Sequence, residues 1–496
     1  MIRLQKGILK KVFPLVVLFS FIYVSTTMFS CRKDAITTNP NSKLNFSTDT
    51  LLFDTVFTTL SSTTKRLKIY NRNSDKIIIS SISIEKGANS QFRINVDGVS
   101  GNSHTNVEID GNDSLFIFLE VTIDPNSILS PFVVDDKIIF NTNGNKQSVQ
   151  LLAWGQNAHY FTPKRYASGL PPFSCLDGDC DGNLPPANVN WINDKPYVIV
   201  GYLVVDSLDV LSIDPGVRIH LHNNSGLWVY KDGNIRINGT IADPVTFQGT
   251  RLEFSWQDIP GQWDRIWINE GSTDNVFNNV IIKNAFIGIQ AETLPFYPNS
   301  PTSSNKLRLN NCEIKNSAAV GLLATNYQIT DTNSVITNSG QMNVFVRGGG
   351  NYRFYHTTIA NYWSQSSRST PALFLQNYYQ DGNGNTQVRD IDSVIFINTI
   401  IEGNLEVEFD VDELAPGTIN YRIDHAIVRT SNATPSTHFF NIIKSPLIPV
   451  FSNTQNNDYT LAPFSPAINA GKLAGVLFDH AGKTRNSPPD LGAFEN

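Results

Sequence analysis

The sequence NCEIKN at residues 311–316 belongs to a set of related hexads in the second half of this 496-residue chain. Each hexad carries an Ile at its fourth position and ends in Asn or Gly. The other members are NVIIKN (279–284), NSVITN (333–338), HTTIAN (356–361) and NTIIEG (398–403). Successive hexads end 32, 22, 23 and 42 residues apart, and the longer gaps contain the insertions LPFYPNSPTSSN (294–305) and YYQDGNGNTQVRD (378–390). A period of roughly 22 residues is typical of a solenoid repeat.

Stacked coils explain why such a hexad recurs. Parallel strands of successive coils lie about 4.8 Å apart, so aliphatic side chains at the same point of each coil form an internal ladder. Asn tolerates the left-handed backbone of a tight corner between strands. One coil cannot bury its apolar face alone, whereas a stack of coils can. The predicted ladder consists of Ile282, Ile314, Ile336, Ile359 and Ile401.

Other segments resemble bacterial β-helix proteins of the pectin lyase-like fold. The stretches that carry this resemblance are PGVRI (215–219), GLWV (226–229), GT and PVTF within 239–247, PGQWDRIWINEGSTDN (260–275), SPAINAG (465–471) and DHAGKTRNSPPDLGAFE (479–495). The resemblance implies a right-handed parallel β-helix over most of residues 190–496. It implies no particular activity, because lyases, hydrolases and adhesins share the fold.

Composition also favours a strand-rich, folded chain. Hydrophobic residues make up 41% and charged residues 17% of the sequence, which is too apolar for a disordered chain. The net charge is −6, and it becomes −10 without residues 1–30, which carry Arg3, Lys6, Lys10 and Lys11 and no acid. An acidic mature protein is a poor candidate for binding nucleic acid.

The first thirty residues have the layout of a secretory signal peptide. The basic segment MIRLQKGILKK precedes the apolar segment VFPLVVLFSFIYV, and Cys31 follows soon after. A Cys at this place resembles the lipobox of bacterial lipoproteins, which implies that Cys31 is lipidated and anchors the protein in a membrane. The alternative is an uncleaved membrane anchor, for which the apolar stretch is borderline in length. Residues 32–43 are polar and read as a flexible tether.

Seven short runs with alternating apolar residues occupy residues 44–160. They predict a β-sandwich of immunoglobulin type. The segment resembles the Ig-like modules that follow the lipid anchor in surface lipoproteins of Bacteroidetes-type bacteria. No functional site is evident in it, so we expect it to act as a spacer.

The segment SCLDGDCDG contains two closely spaced cysteines and three aspartates. Cys175 and Cys180 predict a local disulfide in an exported protein. Asp177, Asp179, Asp181 and Gly182 reproduce the first half of an EF-hand loop, but the twelfth position is Asn188 where a Glu is needed. Ca²⁺ binding and a disulfide-closed structural cap are both compatible with this pattern. Cys312 lies within a hexad, and we expect it to be a small buried hydrophobic residue.

No catalytic residue can be assigned from the sequence. Asp331, Arg347, Arg353 and His356 come from the middle coils and are candidates for one outer face, and Lys283 and Lys315 occupy equivalent places in neighbouring hexads. Trp263 and Trp267 fit a structural coil and should pack inward. Aromatic residues in the insertions are harder to explain by folding and are therefore the predicted ligand-binding residues: Phe296, Tyr297, Tyr378 and Tyr379.

The sequence therefore predicts an exported, lipid-anchored, all-β protein of the bacterial outer membrane or cell surface. Its predicted segments are a signal peptide (1–30), a tether (31–43), an Ig-like β-sandwich (44–160), a linker and N-terminal cap (161–194), a right-handed parallel β-helix (195–440) and a C-terminal coil and cap (441–496). The favoured function is binding or structural display, with a polysaccharide as the expected partner and no required cofactor. The alternative is a polysaccharide lyase or glycoside hydrolase, and a pure scaffold is a third reading.

Overall fold

The computed structural model describes residues 35–126, 131–178, 180–181, 183–293, 304, 306–430 and 437–496. The helical elements of these residues are three short 3-10 turns at Gly87–Asn89, Phe254–Trp256 and Thr454–Asn456. None of the helices in the described ranges has the length and apolar character needed to cross a membrane. The predicted signal peptide and Cys31 lie outside the described residues.

The chain divides into two compact units. The described residues of the first are 35–125 and Phe132–Gly155, and those of the second are Asn126, Pro131 and the described part of Gln156–Asn496. The strands of the first unit are β1 (Asn45–Phe46), β2 (Thr50–Phe57), β3 (Lys65–Tyr70), β4 (Ile77–Ile84), β5 (Phe92–Val96), β6 (Val99–Gly101), β7 (Ser103–Ile109), β8 (Ser114–Val121), β9 (Phe132–Thr142) and β10 (Asn145–Gln156).

Two five-stranded sheets form the first unit, in the orders β1-β3-β8-β5-β6 and β2-β10-β9-β4-β7. Pairs such as β3–β8 and β9–β10 are antiparallel. Alternate residues of both sheets meet in one apolar core, in which Leu67, Ile117 and Phe140 are fully buried. The seven predicted runs all form strands. Three further strands, β1, β6 and β7, are short or polar and have no clear apolar alternation.

The second unit is also built from strands. They are β11 (His159–Phe161), β12 (Phe173–Cys175), β13 (Asn188–Trp191), β14 (Tyr197–Val205), β15 (Val210–Ile213), β16 (Arg218–Val229), β17 (Asn234–Asn238), β18 (Val245–Gly249), β19 (Ile266–Ile268), β20 (Asn275–Asn278), β21 (Val280–Lys283), β22 (Ile287–Glu292), β23 (Leu307–Asn310), β24 (Glu313–Lys315), β25 (Val320–Thr332), β26 (Val335–Thr337), β27 (Val344–Tyr355), β28 (Thr358–Asn361), β29 (Leu373–Gln376), β30 (Tyr378–Gln380), β31 (Thr386–Val388), β32 (Ile391–Gly403), β33 (Phe409–Asp412), β34 (Ile419–Val428), β35 (Phe439–Lys444), β36 (Phe451–Asn453) and β37 (Asp458–Leu461).

In the described part of the second unit, 23 strands join in one sheet in which strands pair in parallel with strands further along the chain. We call this sheet the parallel stack. The prediction of an all-β chain with parallel strands is confirmed. Two antiparallel pairs, β30–β31 and β36–β37, lie outside the stack.

The predicted isoleucine ladder is confirmed by the register of the parallel stack. Ile282 is opposite Ile314, Ile314 is opposite Ile336, Ile336 is opposite Ile359, and Ile359 is opposite Ile401. All five side chains are fully buried in a single apolar core. Each isoleucine therefore packs against its equivalents in neighbouring strands, which removes a continuous file of apolar surface from water.

Three of the four asparagines at the hexad ends have the left-handed backbone that the sequence predicts for them, and Asn361 is the exception. Asn284, Asn316 and Asn338 have φ values of 64°, 56° and 52°. The residues that begin the hexads share this conformation: Asn279, Asn311, Asn333, His356 and Asn398. His356 is therefore a fully buried corner residue, and its imidazole lies 2.8 Å from the amide nitrogen of Asn398.

The two ends of the stack differ from the predicted segments. Strands β11, β12 and β13 already pair with the stack, so the predicted linker contributes strands to it. The C-terminal segment packs along the side of the stack, where Leu491 and Ala493 form a cluster with Ile400 and Ile427. These outward apolar residues of β32 and β34 need a cover because water would otherwise contact them.

Asp331 points into the interior of the stack, in contrast to the predicted outer face. It lies in register between Leu309 and Phe354, and its side chain is fully buried. The hydroxyl of Thr357 donates a hydrogen bond to its carboxylate at 2.5 Å. Burial raises the pKa of Asp331 to about 6. The predicted grouping of Asp331 and His356 with Arg347 and Arg353 on one outer face is therefore wrong.

We expect Ile336→Ala to lower the free energy of unfolding by about 2–5 kcal/mol, because the side chain leaves a cavity in the middle of the ladder. Ile241→Ala is the matched control, since Ile241 is 53% exposed in the same unit. Chemical unfolding followed by circular dichroism measures both variants. Equal losses in the two variants would contradict the ladder's role in stability.

We expect Asp331→Asn to be more favourable to stability at pH 7.5 than at pH 4. The pKa of Asp331 is raised on folding, so its contribution to stability is present below the pKa of an unfolded aspartate and is lost as the pH rises through about 6. Asn removes this cost at neutral pH and keeps an acceptor for Thr357. Unfolding at the two pH values measures the effect, with Asp410→Asn at an exposed position as control. A pH-independent difference would contradict the assignment.

Candidate functional site

A cleft of about 510 Å³ lies on the surface of the second unit. We call it the amide cleft, because most of its lining side chains carry an amide. The lining residues are Asp258, Asn316, Asn338, Tyr362, Trp363, Ser364, Gln365, Asn404, Thr454, Gln455 and Asn457. They come from the hexad ends, from the segments that follow β28, β32 and β36, and, for Asp258, from the segment between β18 and β19.

The hexad corners place two of these amides side by side. Lys315 and Thr337, which precede Asn316 and Asn338, are directly opposite each other in neighbouring strands. The left-handed corner turns each Asn out of the strand direction, and both side chains remain largely buried, at 8% and 7% exposure. The repeat that builds the stack thus also supplies the floor of the cleft.

Hydrogen bonds hold the amide of Asn338 in a fixed orientation. Its oxygen accepts from the backbone N–H of Tyr362 at 3.1 Å and from the hydroxyl of Tyr459 at 2.8 Å. Its nitrogen donates to the side-chain oxygen of Asn457 at 2.5 Å. The C-terminal segment is therefore tied to the corner by direct contacts, and it forms one wall of the cleft.

The opposite wall depends on a buried ion pair. Arg368 and Glu408 are 1% and 0% exposed and form a salt bridge at 2.6 Å. Arg368 also donates to the side-chain oxygen of Asn404 at 2.6 Å, and the Asn404 nitrogen donates to the carbonyl of Trp363 at 3.1 Å. Removing either charge would leave its buried partner unpaired, which is costly. The pair thus fixes the loop that carries Trp363.

The lining of the amide cleft suits a ligand rich in hydroxyl groups. An amide offers both donors and acceptors, as a sugar hydroxyl does, and the half-buried ring of Tyr362 can contact the apolar face of a sugar ring, whereas Trp363 is only 7% exposed. Gln365, Gln455 and Asp258 are exposed and remain accessible from solvent. Asp258 is the one carboxylate among the described lining residues. The arrangement can bind a polyol through its amides.

A second polar cluster lies on the outer side of neighbouring strands of the stack. Trp228 and Trp267 are opposite each other in register, and their rings stack at 4.8 Å between centroids. The indole N–H of Trp267 donates to the carboxylate of Glu292 at 2.6 Å. Burial raises the pKa of Glu292. The prediction that Trp267 packs inward is therefore wrong, whereas Trp263 does lie in the interior core.

Arginine side chains flank this outer cluster. Arg347 donates from Nε to the hydroxyl of Thr325 at 2.9 Å, and burial lowers its pKa. Arg265 donates from Nε to Asp264 at 3.0 Å, and the hydroxyl of Tyr202 donates to the same Asp264 carboxylate. Burial, with the Asp264 carboxylate, raises the pKa of Tyr202. Ionisable groups thus converge here, and neighbouring polar side chains hold them: Trp267 bonds to Glu292, Thr325 to Arg347, and Asp264 to Arg265.

The cysteine-rich loop contains the predicted disulfide between Cys175 and Cys180. Asp181 forms an ion pair with Arg165, which a cation at this carboxylate would have to displace. No group of three His, Cys, Asp or Glu side chains suited to a metal occurs in the described ranges, from which Asp179 and Gly182 are missing. Cys312 is fully buried as predicted, and burial raises the pKa of its thiol to about 12.

The insertion at 378–390 has a folding role that its sequence does not reveal. It forms the hairpin β30–β31, and Tyr379 is only 4% exposed. The predicted ligand-binding role of Tyr379 is therefore wrong, because a buried ring cannot stack on a glycan. The hydroxyl of Tyr378 donates to Asp412 of β33. Phe296 and Tyr297 lie outside the described residues.

Sequence reasoning missed most of the amide cleft. Asn316 and Asn338 are visible in the sequence as hexad ends, but their recurrence indicates a role in folding before it indicates a binding site. Trp363, Asn404 and Gln455 are up to 92 positions apart in the chain and follow three different strands. No local pattern brings them together. Lys283 and Lys315 are directly opposite each other, as expected for equivalent hexad positions, and Lys315 pairs with Glu313 at 2.6 Å.

No protein-family model matches this chain, and no curated protein matches it. Among solved structures, it is similar to the catalytic domain of a GH87 α-1,3-glucanase, at 11% identity and a TM-score of 0.20 over 82% of this chain and 91% of that one. It is also similar to a family 123 glycoside hydrolase from Clostridium perfringens, at 10% identity and a TM-score of 0.17 over 22% and 23%. A PapD-like domain of human CEP192 matches at 8% identity and a TM-score of 0.18 over 24% and 88%. Likenesses at these TM-scores carry no argument about fold or function.

Proposed function

We propose that this chain is a lipid-anchored cell-surface protein whose second unit is a right-handed parallel β-helix that binds a glycan in the amide cleft. The observation that carries the proposal is the lining of the cleft, which combines six amide side chains with the half-buried ring of Tyr362. Such a lining favours a polyhydroxylated ligand, because an apolar ligand would leave these donors and acceptors unpaired.

Binding without cleavage is favoured over catalysis at this cleft. A hydrolase needs two carboxyl groups on opposite sides of the scissile bond, and a lyase needs a base and a group that neutralises a carboxylate. Asp258 alone among the described lining residues is a carboxylate. Hydrogen bonds hold Asn338 and Asn404 in place before any ligand arrives, which reduces the entropy that binding costs.

Surface display is supported by the sequence. The N-terminal layout and Cys31 resemble a lipoprotein signal, which is the basis for assigning the bacterial outer membrane or cell surface. The first unit, whose immunoglobulin type also rests on resemblance, would separate the second unit from the membrane. Ca²⁺ at Asp177, Asp179 and Asp181 stays a prediction, and the ion pair of Asp181 with Arg165 argues against it.

We expect the double variant Gln365→Ala/Gln455→Ala to bind its glycan about tenfold more weakly. Each lost hydrogen bond costs about 0.5–1.5 kcal/mol, and both side chains are exposed, so the fold should be unchanged. A glycan array identifies the best oligosaccharide for the native protein, and calorimetry then measures its affinity for each variant.

The matched control for this experiment is Gln380→Ala, an exposed glutamine of the β30–β31 hairpin. It should bind as tightly as the native protein. Weaker glycan binding in Gln380→Ala, with unchanged binding in the double variant, would indicate that the site lies on the hairpin. Absence of binding to every glycan of the array would refute glycan binding at the cleft.

The alternative of a polysaccharide lyase or hydrolase is favoured by a different observation, the outer cluster with Glu292, Arg347 and Arg265. Burial raises the pKa of Glu292, which favours the protonated form that a general acid needs. Because Glu292 is only 3% exposed and accepts from Trp267, and Arg347 donates to Thr325, we expect no turnover.

We therefore expect the native protein and Glu292→Gln to release neither unsaturated products nor reducing ends from acidic and neutral polysaccharides. Ultraviolet absorbance and a reducing-sugar assay measure the two products. If the native protein releases products and Glu292→Gln does not, the outer cluster is a catalytic site and the binding proposal is overturned. Products from both proteins would place catalysis elsewhere.

A further inference from the structure

The sheet β1-β3-β8-β5-β6 of the first unit has an outward face that contains exposed aromatic residues. Alternate residues of β8 point to the core, and those between them point outward. Phe116 and Phe118 are 39% and 44% exposed, and their rings lie 6.4 Å apart. β8 is the central strand of this sheet. Two exposed phenylalanines in the middle of a sheet face mark an interaction surface more often than a chance placement.

Cationic side chains surround the two rings. Arg66 is directly opposite Phe118, and Lys68 is directly opposite Phe116. The Lys68 ammonium lies 5.1 Å and the Arg66 guanidinium 5.9 Å from the centre of the Phe116 ring. Arg93 lies on the neighbouring strand β5, opposite Glu120. We call Arg66, Lys68, Arg93, Phe116 and Phe118 the cationic aromatic face.

A cleft of about 580 Å³ adjoins this face, where the hairpin of β5 and β6 rises beside β8. Phe118, Arg93, Asn95, Thr64 and Glu120 are among its lining residues. The Asn95 amide nitrogen donates to Ser100 at 3.1 Å. Its oxygen is buried and accepts no hydrogen bond from any group that the structure describes. A buried acceptor of this kind is costly unless a donor from outside reaches it.

We propose that the cationic aromatic face binds an acidic polysaccharide. The apolar face of a pyranose ring stacks on Phe118, and its carboxylate or sulfate groups pair with Arg66, Lys68 and Arg93. Arginine is well suited to this because its planar fork matches a carboxylate. The inference concerns the first unit and does not depend on the amide cleft. It replaces the expectation that this unit is a spacer without a site.

Charge and shape together favour this ligand. The face carries three cations beside the carboxylate of Glu120, whereas the whole chain has a net charge of −6, so positive side chains outnumber negative ones here against the overall sign. A polyanion therefore gains attraction at this face and is repelled by the rest of the surface. The cleft is concave and lined by both apolar and polar groups, among them Phe118, Asn95 and Glu120, which suits a chain of sugar rings better than the flat surface of a bilayer.

The test measures binding of the full-length protein to polygalacturonate, with dextran as the neutral polysaccharide, by affinity electrophoresis and calorimetry. We expect binding to polygalacturonate alone, and about tenfold weaker binding in about 500 mM than in about 50 mM NaCl because salt screens the charges. The variants Arg66→Gln and Phe118→Ala should each weaken binding about tenfold. Their melting temperatures should stay close to that of the native protein, because both side chains point to solvent.

Two controls separate this face from other surfaces. Trp154→Ala removes an aromatic residue that is 37% exposed on the other sheet of the same unit, and it should leave binding unchanged. Gln365→Ala/Gln455→Ala should also leave it unchanged, since the amide cleft is in the other unit. Equal binding of dextran, no binding of polygalacturonate, or insensitivity to Arg66→Gln and Phe118→Ala would each overturn the proposal. Binding to phosphatidylglycerol vesicles in place of polygalacturonate would identify a membrane-binding face and overturn it as well.

Discussion

Register between parallel strands is the constraint on which the second unit depends. An isoleucine in one strand is hidden from water only when the equivalent residues of the neighbouring strands lie directly above and below it. The file from Ile282 to Ile401 meets this condition at every step. A slip of one residue would turn the whole file outward, so the hexads must recur with the same spacing of Ile and corner residue even where insertions separate them.

The corners connect this folding requirement with the amide cleft. A left-handed backbone excludes most side chains, and Asn is among the residues that accept it at low cost. The stack therefore brings asparagines to equivalent positions of successive strands. At Asn316 and Asn338 the same amides meet Trp363, Asn404 and the C-terminal segment, and they line a cleft. The repeat thus supplies part of the cleft lining, and loops outside the repeat supply the rest.

Burial of polar groups shows how differently the two units use charge. In the second unit, Asp331, Glu292 and the thiol of Cys312 all have raised pKa values because the interior and the outer cluster are shielded from water. These groups are held by internal partners such as Thr357 and Trp267. In the first unit, Arg66 and Arg93 are exposed beside exposed phenylalanines. The shielded groups of the second unit therefore affect mainly its stability. The exposed arginines of the cationic aromatic face are accessible to a ligand.

The sequence by itself determined the all-β character, the parallel strands and the isoleucine ladder, because these depend on periodicity, which is visible in one dimension. It also indicated the left-handed corners, since Asn recurs there. Only the tertiary structure decided that Asp331 points inward, that Trp267 lies outside on Trp228, that Tyr379 is buried, and that polar β7 pairs as a strand at the edge of its sheet. The face on which a side chain lies depends on the register with strands far away in the chain. Both candidate binding surfaces arise in this way, because their residues are adjacent only after the strands have paired.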